Sequence, residues 1–197
     1  MNWVIMLALI PSLTLFVGGC NRVALGGGIR QVRANVAGKN VPILLPLSEV
    51  RFENDNVLPS VDVYTRLQFA QLLAQTGTTD VDKPFGSAQS LGFGARWYPF
   101  EDNPKVGRRI GVDVVGEVFH ANYEIHGLFK GIVKYKIKDE LWGYGITPGF
   151  TGEIPINWPG HWHLSWHAGW SLLEVCDSEF DIKGGLSASV TLQTAIK

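Results

Sequence analysis

The sequence predicts an all-β chain, an antiparallel up-and-down transmembrane β-barrel of about eight strands, and three observations carry that prediction. The first is alternation with a period of two between Trp142 and Ile156. Even positions there read Trp142, Tyr144, Ile146, Pro148, Phe150, Gly152, Ile154 and Ile156, while Gly143, Gly145, Thr147, Gly149, Thr151, Glu153 and Pro155 fall between them. After a turn at Asn157-Trp158-Pro159-Gly160, Trp162, Leu164, Trp166, Ala168, Trp170 and Leu172 share one face, and His161, His163, Ser165, His167, Gly169 and Ser171 share the other. The second observation is the chemistry of the two faces. A solvent-facing strand surface is normally rich in charge, and this polar face is Gly, Ser, Thr and His with almost no Lys or Glu. A narrow membrane-barrel lumen takes that composition while the greasy face meets lipid, so Trp142, Tyr144, Trp162, Trp166 and Trp170 are expected to face lipid. The third is composition: only 18 % of the 197 residues are charged, 23 are Gly and 11 % are aromatic. A net charge of −1 gives no reason to expect nucleic acid as a partner.

An apolar run from Val4 to Val17, broken by Pro11, is too short for an ordinary spanning helix and stands where a secretory signal stands. It ends in Val17-Gly18-Gly19-Cys20, which resembles the lipobox of bacterial lipoproteins. That resemblance implies lipidation of Cys20, although no Lys or Arg precedes the run, while the barrel reading sets the chain in the outer membrane of a Gram-negative bacterium. The segments follow: residues 1–19 as signal peptide, 20–58 as a tether with a possible first strand, and 59–197 as the barrel. With Cys20 lipidated, Cys176 has no partner in the chain and is expected as a free thiol in a turn.

Along the tether, Gly26-Gly27-Gly28 lacks the strand-then-helix context of a phosphate loop. Val41 to Phe52 holds Pro42 and Pro46, which predicts an irregular or edge strand. Clear alternation begins at Val61, with Val63, Thr65, Leu67 and Phe69 opposite Asp62, Tyr64, Arg66 and Gln68. Residues 76–87 read as a polar loop, followed by Leu91, Phe93, Ala95 and Trp97 opposite Gly92, Gly94, Arg96 and Tyr98. A third strand, Arg109 to His120, sets Ile110, Val112, Val114 and Val118 against Gly111, Asp113 and Glu117, with Val115 and Phe119 on the polar side. A fourth, Phe129 to Lys138, places Lys130, Lys134, Lys136 and Lys138 on a face read as solvated. The hairpin already described and Leu186 to Leu192 bring the count to seven, with Val41 to Phe52 as the candidate eighth. Pro148, inside the longest strand, predicts a bulge or kink near Thr147-Gly149. Counting back from the last strand sets the 76–87 and 175–179 connections at opposite ends of the barrel.

His161 and His163 stand i, i+2 on one strand face, about 6.6 Å apart, but no Cys or acidic ligand with a recognisable spacing accompanies them. They read as lumen histidines, with no metal and no cofactor expected. His163-Leu164-Ser165 resembles the His-x-Ser pair of outer-membrane lipid A deacylases, which implies a hydrolase with Asp177 or Glu179 orienting the histidine. Parity, however, puts His163 and Ser165 on the polar side, and the pair is read as structural with no catalytic residue assigned. Gly94-Ala95-Arg96-Trp97-Tyr98 resembles the Gly-x-Trp signature of bacterial lipocalins, implying an apolar ligand, with the spacing one residue longer. The reading that follows is a small outer-membrane barrel with a structural or surface role and no open pore. A lipid A deacylase using His163 and Ser165 is the alternative, and a lipocalin-like lipoprotein the third. Outer-membrane lipid is the expected partner, and the sequence leaves the oligomeric state open.

Overall fold

The computed structural model describes residues 21–36, 39–73, 85–99, 109–129, 132–176 and 182–196. Ten strands follow one another: β1 (Arg22–Val36), β2 (Lys39–Leu58), β3 (Val61–Leu73), β4 (Phe85–Trp97), β5 (Arg109–Phe129), β6 (Ile132–Ile156), β7 (Trp162–Trp170), β8 (Leu172–Val175), β9 (Ile182–Lys183) and β10 (Leu186–Ala195). Neighbouring staves of the sheet pair antiparallel, and β10 returns to pair with β1 from Arg22↔Ala195 to Arg30↔Ser187. The sheet is therefore closed and has no free edge. β7 with β8 forms one stave and β9 with β10 another, so ten strands make eight staves. The near end carries Asn21, Ile196 and the Leu58–Val61 and Ile156–Trp162 turns; β1, β3, β5 and β7 run from it towards the far end.

Eight staves agree with the count expected from sequence, but two errors cancel in reaching it. The segment 21–58, read as a tether with a possible first strand, is β1 and β2 in full. Conversely, Phe129–Lys138 and Trp142–Ile156, read as two strands, belong to the single 25-residue β6. The glycine run that suggested flexibility sits in the middle of β1, where the backbones crowd: a Cβ on Gly28 would stand 2.8 Å from Ser189 Cα. With the correct staves, four of them separate the connection after β3 from the one after β8. Both connections belong to the far end, and the conflict in loop placement disappears.

The prolines are accommodated without an edge. Pro42 and Pro46 lie in β2, which is paired on both sides, and around Pro46 the β2–β3 ladder skips from Leu44↔Leu73 to Leu47↔Ala70 without changing register. Around Pro148 there is no bulge. Ile146↔Leu172 and Gly149↔Gly169 keep one register, and the interval between them is the break that separates β7 from β8. A residue with no N–H thus costs two residue pairs of the ladder rather than a change of register. Register shifts occur elsewhere, between Asn54 and Leu58 against β3, between Gly127 and Leu128 against β6, and where β9 passes into β10 against β1.

Two turns at the near end use left-handed backbone. Ser60 has φ 60° in the two-residue Pro59-Ser60 turn, and Gly160 and His161 have φ 102° and 55° after β6.

Candidate functional site

Alternation assigns every described strand residue to the lumen or to the exterior. Along β2 the inward positions read Ile43, Leu45 and Leu47 and then Glu49, Arg51 and Glu53, all buried. The lumen is therefore layered, apolar towards the far end and charged below it.

The charged layer is built from arginines facing carboxylates. Arg51 donates to Glu49 Oε1 from Nε at 2.9 Å and to Glu53 Oε1 at 3.1 Å. Arg96, fully buried on β4, donates to the same Glu53 oxygen at 3.0 Å. Between the two guanidiniums lies the Tyr64 ring, 5.0 Å from Arg51 and 4.4 Å from Arg96. The Tyr64 hydroxyl donates to Asp113 Oδ2 at 2.8 Å. Nearer the apolar layer, Arg30 crosses the lumen to Glu117 at 2.9 and 3.1 Å and to Gln68 Oε1 at 2.9 Å. Arg66 meets the same glutamate at 3.3 Å, and Gln68 donates to Glu49 Oε2 at 2.6 Å. Nearer the open end, Tyr98 donates to Glu153 Oε1 at 2.9 Å, while Arg109 ion-pairs with Asp62 at 2.9 Å and lies 3.8 Å from the Tyr98 ring centre. Among the described residues, the lumen thus contains six arginines (22, 30, 51, 66, 96, 109) and seven carboxylates (49, 53, 55, 62, 113, 117, 153), a near balance that buried charge requires.

Above that layer, Val32, Ile43, Leu45, Leu47 and Ala70 pack as one apolar group and Phe119, Ala121 and Leu141 as a second. Ala88 and Leu173 touch both, which joins them into a plug across the lumen. Val115 and Phe119, the two apolar residues expected on the polar side of their strand, point inward, and Phe119 is part of the plug.

Among the described residues, Asp113, Glu117 and Glu153 are met by arginines and tyrosines. Lys130 and the side chains of Lys134, Lys136 and Lys138 lie outside the described residues. The histidines do not converge: His161 is exposed in the turn, His163 Nδ1 is 4.0 Å from Glu153, and His167 Nδ1 is 3.0 Å from Asp113. Ser165 is fully buried in the lumen, and neither its Oγ nor His163 Nδ1 has a hydrogen-bond partner among the described residues. Asp177 and Glu179 lie outside the described residues, as does Cys20; Cys176 is an exposed free thiol. In the Gly94–Tyr98 segment, Arg96 and Tyr98 serve the charge network while Trp97 points outward.

The exterior is the apolar face. Phe69, Phe93, Trp97, Ile110, Val114, Phe150, Leu172 and Val190 are all exposed outward-facing residues of the barrel wall. Of the aromatic residues expected outside, Trp142, Tyr144 and Trp170 are exposed and Trp162 and Trp166 half-buried. Trp166 is shielded because its indole lies over its cross-strand partner Gly152, where a Cβ would stand 2.5 Å from it. Trp162 meets Trp158 edge-on at 6.4 Å.

Missed from sequence was the charge network as a unit. Its signal was present in Glu49, Arg51 and Glu53, three charged residues at alternate positions following the proline-containing start of the strand.

No protein-family model and no curated protein matches the chain. Among solved structures, the chain is similar to Neisserial surface protein A (TM-score 0.46, 9 % identity, 89 % of this chain and 96 % of that one). It is similar also to Ail, the attachment invasion locus protein of Yersinia pestis (0.45, 11 %, 88 % and 98 %). A major outer membrane protein from Thermus thermophilus gives 0.46 at 10 % identity, over 87 % and 99 % of the two chains. With TM-scores below 0.5, these likenesses add nothing to the fold read from the chain's own strand pairing.

Proposed function

We propose that the chain is a small non-conducting barrel of the outer membrane of a Gram-negative bacterium, with a structural or surface role. The observation that carries the reading is the pairing of an apolar exterior with a filled, charged lumen. An exposed apolar surface of this extent on a soluble protein invites aggregation, whereas buried arginines and carboxylates in the middle of the molecule are what an eight-stranded membrane barrel keeps inside. The height of the apolar band agrees. From Trp142 to Ile154, both exposed on β6, twelve steps at ~3.3 Å give about 40 Å of strand. At a tilt of about 40° that is roughly 30 Å along the axis, the thickness of a bilayer core.

Two layers oppose conduction. Ions entering from the near end meet Arg96, Glu53, Tyr64 and Asp113 in mutual contact, and beyond them the apolar plug. The deacylase alternative has no observation in its favour: Ser165 Oγ is enclosed in the lumen, whereas a lipid hydrolase needs its nucleophile within about 3–3.5 Å of an ester carbonyl. The test is conductance of the purified protein in planar bilayers, together with gel mobility in detergent before and after boiling. No conductance steps, with a mobility shift on boiling, is the expected result. Discrete steps at low voltage would replace this reading with that of a channel.

A further inference from the structure

The β5–β6 hairpin outgrows the rest of the wall. β4 follows β5 only as far as Phe85↔Glu124. On the other side, β8 follows β6 as far as Gly143↔Val175, and the Cys176 N–H donates to the Trp142 carbonyl at 2.8 Å. β5 and β6 go on pairing with each other to Phe129↔Ile132. From Leu141 back to Ile132, β6 therefore runs beyond Trp142, where the apolar band ends, for about 30 Å at ~3.3 Å per residue.

Among the described residues, no strand pairs with this stretch of β6 on the side away from β5. The chain has little left with which to cover it: only residues 177–181 separate Cys176 from Ile182, which is already paired with Ala34 of β1. The bond to Trp142 gives the phase of the edge. Backbone groups of successive strand residues turn to opposite sides. Those of Lys138 and Lys136 thus turn as Trp142 does, away from β5, and those of Ile137 and Tyr135 turn towards it. An open row of N–H and C=O groups is a template for one more strand.

Charge narrows what that strand is. Beyond the Glu124↔Lys138 pair, positions 125–137 hold Lys130, Lys134 and Lys136 and no Asp or Glu. A second copy added edge to edge would set lysine-rich strands against each other, and like charges across a ladder repel, whereas acidic residues in the added strand are attracted.

We propose that the edge of β6 around Lys136 and Lys138 binds an extended acidic segment of another protein as an added strand, outside the membrane. The proposal rests on the membrane reading above only for that location, which the Val190→Arg substitution described below tests by itself.

The experiment is fluorescence anisotropy of a labelled peptide of alternating Glu and Thr, about ten residues long to match the edge, titrated with the full chain in neutral detergent micelles. It is expected to bind about tenfold more tightly than the same peptide with Lys in place of Glu, since opposite charges across the ladder favour the first and like charges oppose the second. Methylating the backbone nitrogens of the Glu-Thr peptide keeps its charge, removes its donors and is expected to abolish binding. Lys136→Gln removes a charge and is expected to weaken binding about threefold. Lys136→Pro also removes an N–H turned away from β5 while leaving the β5 ladder whole, and is expected to abolish binding. In wild type, amide exchange at Lys136 and Lys138 is expected to slow when peptide is added, with Ile137 unchanged.

Undiminished binding of the methylated peptide would reduce the attraction to charge alone and overturn the added strand. Equal binding of the Glu and Lys peptides would overturn the acidic partner. Binding to Lys136→Pro as tight as to Lys136→Gln would overturn the placement on this edge. A dimer that forms without peptide and is lost in Lys136→Pro would assign the edge to a second copy. Displacement of the peptide by micelles containing phosphatidylglycerol would give the lysines to lipid headgroups, and would likewise overturn the proposal.

Discussion

The Tyr64 hydroxyl, donating to Asp113 Oδ2 at 2.8 Å from a ring flanked by Arg51 and Arg96, ties β3 to β5 across the lumen. Tyr64→Phe keeps the ring between the guanidiniums and removes one donor from a buried carboxylate. A loss of about 1.5–3 kcal/mol in folding stability is expected, the worth of a hydrogen bond to a charged group. Urea titration of the protein in lipid vesicles measures it, and an unchanged midpoint would mean that water satisfies Asp113 from the lumen.

Arg30 and Glu117 join β1 to β5 through two contacts. Arg30→Met alone leaves the glutamate with Arg66 and Thr147, so a destabilisation below the ~3–5 kcal/mol of a fully unpaired buried charge is expected. Combined with Glu117→Leu, the loss should be smaller than the sum of the single changes by about 0.5–3 kcal/mol. Strict additivity in this cycle would show that the two residues do not act on each other.

Val190, half exposed on β10, separates the membrane reading from a soluble one. On a lipid face, Val190→Arg should cost about 2–4 kcal/mol near the midplane. On a water-facing surface the same change normally stays within ~0.5 kcal/mol of zero. Refolding into vesicles of defined composition, compared with Val190→Leu, gives the difference directly.

Gly152 lies beneath the Trp166 indole. Gly152→Ala pushes a methyl group into that ring, and overpacking of this kind costs about 1–3 kcal/mol. Trp166→Ala in the same background should recover part of the loss, because it removes the clash. Failure to recover any of it would place the strain in the β6 backbone.

The proposed absence of a pore is most exposed to test through the charged layer. Glu53→Ala frees Arg51 and Arg96 from a shared acceptor but leaves the apolar plug in place. Bilayer recordings of this variant are therefore expected to stay silent, and conductance in it would show that the plug does not seal the lumen.

How much of this was legible in the sequence follows from which interactions are local. Strand content and the sidedness of each strand were legible because alternation is a property of two neighbouring residues, and lipid and lumen demand opposite chemistry. For the same reason parity alone sufficed to place Ser165 and His163 inside. Strand boundaries were not legible where composition misleads. The Gly26–Gly28 run reads as flexible chain until Ser189 and Leu47 are found crowding it from both sides, and the lysine-rich start of β6 reads as a separate strand. Pro46 and Pro148 predicted edges and bulges, yet pairing on both sides of each gap holds the register. The partners of the buried charges were decided by closure alone. Arg30 and Glu117 are 87 positions apart, and nothing in either strand shows that the barrel will bring β1 within reach of β5. Local alternation fixes which way a side chain points, and only the closed sheet fixes what it meets.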